Sequence, residues 1–177
     1  MPGNPNEREF KPLNIAVMTV SDTRTETNDK SGDTLVKLLT EAGHQLAEKC
    51  IVPDDVYQLR AVLSRWIADP VINAVITTGG TGITGRDSTP EAVKVLLDKE
   101  IEGFGEVFRA VSYEEINTST IQSRALAGVA NATFLFCLPG STGACRTGWG
   151  KIISHQLDYR TRPCNLVELM PRVLEKA

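Results

Sequence analysis

What most constrains this chain is an alternation. Short, almost wholly apolar runs are separated by longer stretches whose apolar residues recur every three or four positions. The run LNIAVMTV (residues 13–20) has almost no polar face, as a strand buried on both sides requires. SGDTLVKLLTEAG follows, with Leu35, Leu38, Leu39 and Ala42 on one helical stripe and Gly43 where a helix commonly ends. HQLAEKCIV is a weaker, alternating strand that stops at Pro53. Asp54 or Asp55 then caps a helix carrying Val56, Leu59, Val62, Leu63, Trp66 and Ile67 on one stripe. VINAVITT is a third strand, and Thr89-Pro90 opens a helix whose apolar face is Val93, Leu96, Leu97 and Ile101. EGFGEVFRAVSYEEI and TSTIQSRALAGVAN both read as helical, divided near Asn117. ATFLFCLPG is a fourth strand, stopping at Pro139, and RTGWGKIISHQLDYR a final helix.

Strands and helices alternating at this spacing make βαβ units, which predicts a three-layer α/β/α sandwich around a mostly parallel sheet. At 177 residues the chain is long enough for one such domain and short for two. The expected division is a flexible arm over residues 1–12, one domain over residues 13–165 and a tail over residues 166–177. In a parallel sheet the carboxyl ends of all strands share one edge, and ligands bind there. The segments leaving those ends are SDTRTETNDKSGD, VPDD, TTGGTGITGRDST and LPGSTGAC, the richest Gly, Ser, Thr and Asp stretches of the chain. Turning the chain does not require all four to be so biased, so this rim is the expected site.

Composition narrows what binds there. A net charge of -3 argues against general binding of nucleic acid, which calls for a basic footprint. No apolar run approaches the roughly 20 residues that cross a membrane, and MPGNPNEREFKP lacks the apolar core of a secretion signal, so a cytoplasmic protein is expected. Four cysteines without a C-x-x-C pair, and two distant histidines, are poor material for zinc or disulfides.

The segment GGTGITG places four glycines in seven residues. Gly80-x-Gly82-x-x-Gly85 matches the dinucleotide fingerprint literally and fails on context: it follows the third strand, and RDSTP separates it from its helix. A Walker A loop is excluded because no Gly-Lys-Ser/Thr is present. The loop still offers the amides of residues 79–82, the hydroxyls of Thr77, Thr78 and Thr81, a cation at Arg86 and a carboxylate at Asp87. Amide concavities hold phosphate oxygens. A carboxylate beside polyphosphate is what Mg²⁺ uses, since it takes one or two protein oxygens plus phosphates and waters. Asp87 and Asp54 are equally good turn and helix caps, and spacing alone leaves both readings open.

TTGGTGITGRDSTPEAV, EGFGEVFR, STIQSRALAGV and LPGSTGACRTGW, in this order, resemble the molybdenum cofactor biosynthesis family, which includes the molybdopterin adenylyltransferases. The resemblance covers residues 14–165 and implies a molybdopterin-binding α/β/α fold assembled as trimers or dimers of trimers. It implies binding of molybdopterin, a pterin with a dithiolene and a terminal phosphate. In the adenylyltransferase branch that phosphate attacks the α-phosphate of Mg-ATP, and pyrophosphate leaves. Carried over by position, Asp87 is expected to hold Mg²⁺ or position phosphates, with Asp54 across the same rim, and these two are the candidate catalytic residues. Gly79, Gly80, Thr81 and Gly82 would cradle phosphate. Pro139, Gly140 and Ser141 would line the pterin side, and Ser21 and Asp22 would touch ligand. Other enzymes of the pathway are expected partners. GITGRDST and PGSTGAC depart from the adenylyltransferase pattern. The alternative is therefore a non-catalytic protein that binds or delivers the pterin.

Overall fold

The computed structural model describes residues 8–175. Six strands form one sheet in the order β2-β1-β3-β6-β5-β4. These are β1 (Asn14–Val20), β2 (Gln45–Val52), β3 (Ala74–Thr78), β4 (Lys99–Glu100), β5 (Leu126–Ala130) and β6 (Thr133–Leu138). The β2, β1, β3 and β6 strands run parallel, and β5 is antiparallel to both β6 and β4. The alternation of the pleat sorts the core into two halves. Ile15, Val17 and Ile76 face one side, with Leu35, Leu39, Phe104 and Trp149 against them; Ala16, Met18 and Val75 face the other, with Leu59, Leu63 and Trp66.

The helices supply those two outer layers. α1 (Lys30–Glu41), α4 (Glu102–Ile116) and α5 (Thr142–Gly148) lie on the first side, and α2 (Val56–Ala68) and α3 (Thr89–Lys94) on the second. The expected three-layer sandwich is therefore present. Asp55 rather than Asp54 caps α2, accepting from the Tyr57 and Gln58 amides. α5 runs through a wider turn, Trp149–Ile153, into α6 (Ser154–Gln156). Among the described residues no helix is long and apolar enough to cross a membrane.

Two expectations, the helix over residues 126–130 and the length of the helix from Thr89, need correction. Residues 126–130, read as helix, form β5: its small residues let neighbours close in, and a Cβ on Gly128 would stand 2.7 Å from the Lys99 carbonyl. A two-residue hairpin at Asn131 and Ala132, with φ of 46° and 65°, returns the chain to β6. The helix starting at Thr89 ends at Lys94, and the chain then extends into β4. Within the N-terminal arm, residues 8–12 are docked. Arg8 pairs with Glu168 at 2.7 Å, Lys11 lies over the Tyr159 ring, and Phe10 meets His44; the rest of the arm lies outside the described residues. The tail forms α7 (Leu166–Leu169), whose Val167 is buried in the core.

Candidate functional site

β1, β3 and β6 are adjacent, so the loops leaving their carboxyl ends meet. They are tied to one another: the Gly79 amide donates to the Leu138 carbonyl at 2.9 Å and the Thr78 hydroxyl to the Pro139 carbonyl at 3.0 Å. Gly79 and Gly80 take φ of 105° and 66°, the left-handed region that only glycine enters cheaply. A Cβ on Gly80 would press on the Thr89 hydroxyl and lie 2.8 Å from Asp54 Oδ2. Thr89 fastens the loop from below, its hydroxyl donating to the Gly79 carbonyl and its amide to that of Gly80.

These loops open on a cavity of about 590 Å³. Ser21, Gly79, Gly80, Thr81, Gly82 and Asp87 line one part of it, and Pro139, Gly140 and Ser141 another. Gly80 and Thr81 carry amides that donate to no acceptor in the described protein. Unpaired amides on a cavity wall are the working part of an anion cradle. Ser141 accepts from the Ala144 amide and so caps α5, while Ser21 is turned back onto the Thr23 and Arg24 amides.

The acidic residues separate. Asp87 lies on the cavity wall, and the Thr84 hydroxyl and the burial that opposes it leave its carboxyl below its ordinary range. Both Thr84 bonds go to Oδ2. Asp54 stands behind the glycine loop, accepting from the Ser88 amide at 3.0 Å and from the Ser88 hydroxyl. Asp22 is also off the wall. It is held at 2.6 Å by Arg86, which keeps its carboxyl low, and it accepts from the Asp54 amide. Asp22 and Asp54 thus fasten the loop of residues 83–88 to the ends of β1 and β2.

The loops that leave the strands form only part of the rim. The structure adds a second wall: Phe108, Ser112 and Glu115 of α4, then Ser119, Thr120 and Ser123. The hydroxyl-rich stretch NTSTIQS was the available signal. Arg124 joins the two walls. Its Nε donates to the Gly82 carbonyl and Nη2 to that of Asp87, both at 2.8 Å, while its amide donates to Thr81 and Glu91 pairs with it. Cys145, at the start of α5, is buried beside the Thr78 hydroxyl, and that burial pushes its thiol up to about 11. It offers no nucleophile at neutral pH.

A glycine loop with free amides, wall carboxylates at Asp87 and Glu115 and a cavity at the carboxyl edge of a parallel sheet are the features of a small-molecule binding domain. Residues 16–159 match the family described as a probable molybdopterin binding domain, and the chain belongs to that family. It is 56% identical over 157 residues to molybdenum cofactor biosynthesis protein B of Escherichia coli K12, covering 89% of this chain and 92% of that one. A crystal structure of a molybdenum cofactor biosynthesis protein B superposes with a TM-score of 0.82 at 45% identity, covering 85% and 94% of the two chains. The tungsten cofactor synthesizing protein MoaB from Pyrococcus furiosus gives 0.74 at 41%, covering 82% and 92%. A role in molybdenum cofactor biosynthesis follows.

Proposed function

We propose that this protein binds molybdopterin in the cavity at the carboxyl edge of its sheet and adenylylates the terminal phosphate with Mg-ATP. The carrying observation is the pairing of unpaired Gly80 and Thr81 amides with the Asp87 carboxylate on one wall. In the reaction an oxygen of the pterin phosphate attacks the α-phosphorus of ATP, the bond from that phosphorus to its bridging oxygen breaks, and pyrophosphate leaves with the electron pair. No protein nucleophile is needed. The amides orient phosphate oxygens and meet charge that builds in the transition state. Described residues contain no group of three or more His, Cys, Asp or Glu side chains fit to hold a metal. Mg²⁺ does not require one, because one carboxylate plus phosphates and waters suffices. Asp87 fits, since Thr84 occupies only its Oδ2. Bound there, the ion would neutralise phosphate charge.

One observation favours the second reading, a protein that holds or delivers the pterin without chemistry. Asp54 is taken up by Ser88 behind the loop, so a single candidate carboxylate faces the cavity. Single-turnover incubation with molybdopterin, ATP and Mg²⁺, read as adenylylated pterin, separates the two. Product from the wild type that Asp87→Asn abolishes supports the enzyme. Pterin bound without product leaves the binding protein. Asp54→Asn is expected to lower turnover through the loop it fastens.

The active form we propose is a homo-oligomer, a trimer or a dimer of trimers. Val107, Tyr113, Ile116 and Ile121 are 49–75% exposed on and just after α4, a density of apolar surface that suits a subunit contact. Light scattering showing a monomer at micromolar concentration would refute it.

A further inference from the structure

Glu115 is a carboxylate on the cavity wall that the phosphate chemistry does not use. The charged side chains lining that cavity among the described residues are Arg24, Asp87 and Glu115. Asp87 belongs to the glycine loop. Arg24 donates to the Asn28 carbonyl at 2.8 Å, in the loop after β1. Glu115 stands on the opposite wall, near the end of α4. Its partner is Thr147 of α5, whose hydroxyl donates to both carboxylate oxygens, at 3.0 and 2.8 Å. No cation pairs with it among the described residues. A hydroxyl has one proton to give, whereas a carboxylate has about four lone-pair sites, so most of its accepting capacity remains.

A carboxylate there is costly for a ligand that is anionic at both ends. It is favourable for one with an anionic end and a donor-rich end. Phosphate drawn to the Gly80 and Thr81 amides is repelled by Glu115, and this fixes which way round the ligand lies. The donor-rich end must then present adjacent N–H groups to two carboxylate oxygens. The 2-amino-4-oxo-pyrimidine edge of a pterin does so with its ring N–H and exocyclic amino group. Phe108 lies beneath the same wall, almost wholly buried in the core.

We propose that Glu115 is the specificity-determining residue of this cavity, accepting the paired N–H donors of a pterin's 2-amino-4-oxo edge. The assignment rests on the molybdopterin-binding reading above. It sets the far end of the site and the ring chemistry admitted, which the glycine loop does not.

The test compares two fluorescent probes, 6-hydroxymethylpterin phosphate and its 2-oxo counterpart, 6-hydroxymethyllumazine phosphate, which lacks the amino donor. Each is titrated into the wild type, Glu115→Gln and Thr147→Val. Glutamine keeps an oxygen for Thr147 while setting an N–H₂ against the pterin's own donors. The wild type is expected to prefer the pterin by about 10- to 100-fold, as a charge-assisted donor pair warrants. Glu115→Gln should bring that ratio close to one. Thr147→Val cuts the link from α4 to α5 with the carboxylate in place, and should shift both probes alike. Guanosine monophosphate shares the same ring edge, and its binding more tightly than the pterin probe would overturn the choice of pterin. An unchanged ratio in Glu115→Gln overturns the proposal while leaving pterin binding intact. A wild type that binds neither probe overturns the molybdopterin reading, and this inference with it.

Discussion

Arg124 shows how one side chain can set a loop. Its guanidinium bonds the carbonyls at both ends of residues 82–87, and its own amide bonds Thr81. Nothing local in the sequence marks this role, because the two carbonyls it meets lie about forty positions away. Hydrogen bonds from a charged donor are worth roughly 1.5–3 kcal/mol each, part of which Lys recovers as a point charge without the fork. Arg124→Ala is therefore expected to cost about 2–3 kcal/mol in urea unfolding and to weaken pterin-phosphate binding, with Arg124→Lys intermediate. Gly80 is the complementary case. Four glycines in seven residues announced a backbone that must come close to something, and the left-handed φ of 66° at Gly80 beside Asp54 is the physical reason. Gly80→Ala should destabilise by about 1–3 kcal/mol and abolish binding, read from the same unfolding curves and from probe titration. A variant that folds and binds like the wild type would show that the loop tolerates a Cβ.

At the scale of elements, the strands that carry the rim were legible because β1, β3 and β6 are buried on both faces and therefore read as unbroken apolar runs. β5 was not. LAGVA has the composition of a helix, and only pairing with β6 and β4 makes it extended, information that local propensity does not contain. One sign was present, since Asn131 is a residue that tolerates positive φ in a tight hairpin. Ala132, at φ 65°, pays for that geometry with its Cβ. Ala132→Gly is accordingly expected to raise stability by several tenths to about 1 kcal/mol, measured by urea midpoint, the relief of strain exceeding the extra entropy of the unfolded chain. A fall instead would mean that Gly loses more freedom here than the turn returns.

Across the whole molecule, charge and burial make stability fall with acid in two stages. His44 is buried between Phe10 and Trp149, with its Nδ1 accepting from the Leu13 amide, and burial lowers its pKa despite the attraction of Asp158. A base with a lowered folded pKa binds its proton more readily when unfolded. Stability therefore drops as pH falls below the unfolded value of about 6.5 and levels once the folded group also titrates. The second stage belongs to carboxylates. Glu48 of β2 is pulled down to about 2 by Arg65 and the Trp66 indole of α2, so its contribution is whole above about 4.5 and is lost on the way to about 2. Asp158, held low by Arg160, loses its share in the same direction. The two stages occupy different windows because one group must gain a charge inside the fold and the others must give theirs up. Urea midpoints measured from pH 8 to pH 3 should show both declines. His44→Asn, which keeps an acceptor for Leu13, should be less stable at every pH but flat between pH 7 and pH 5. Glu48→Gln should keep the first decline and reduce the second. A histidine variant that retains the upper decline would assign it to another group and leave the docked N-terminal segment without a part in the pH response.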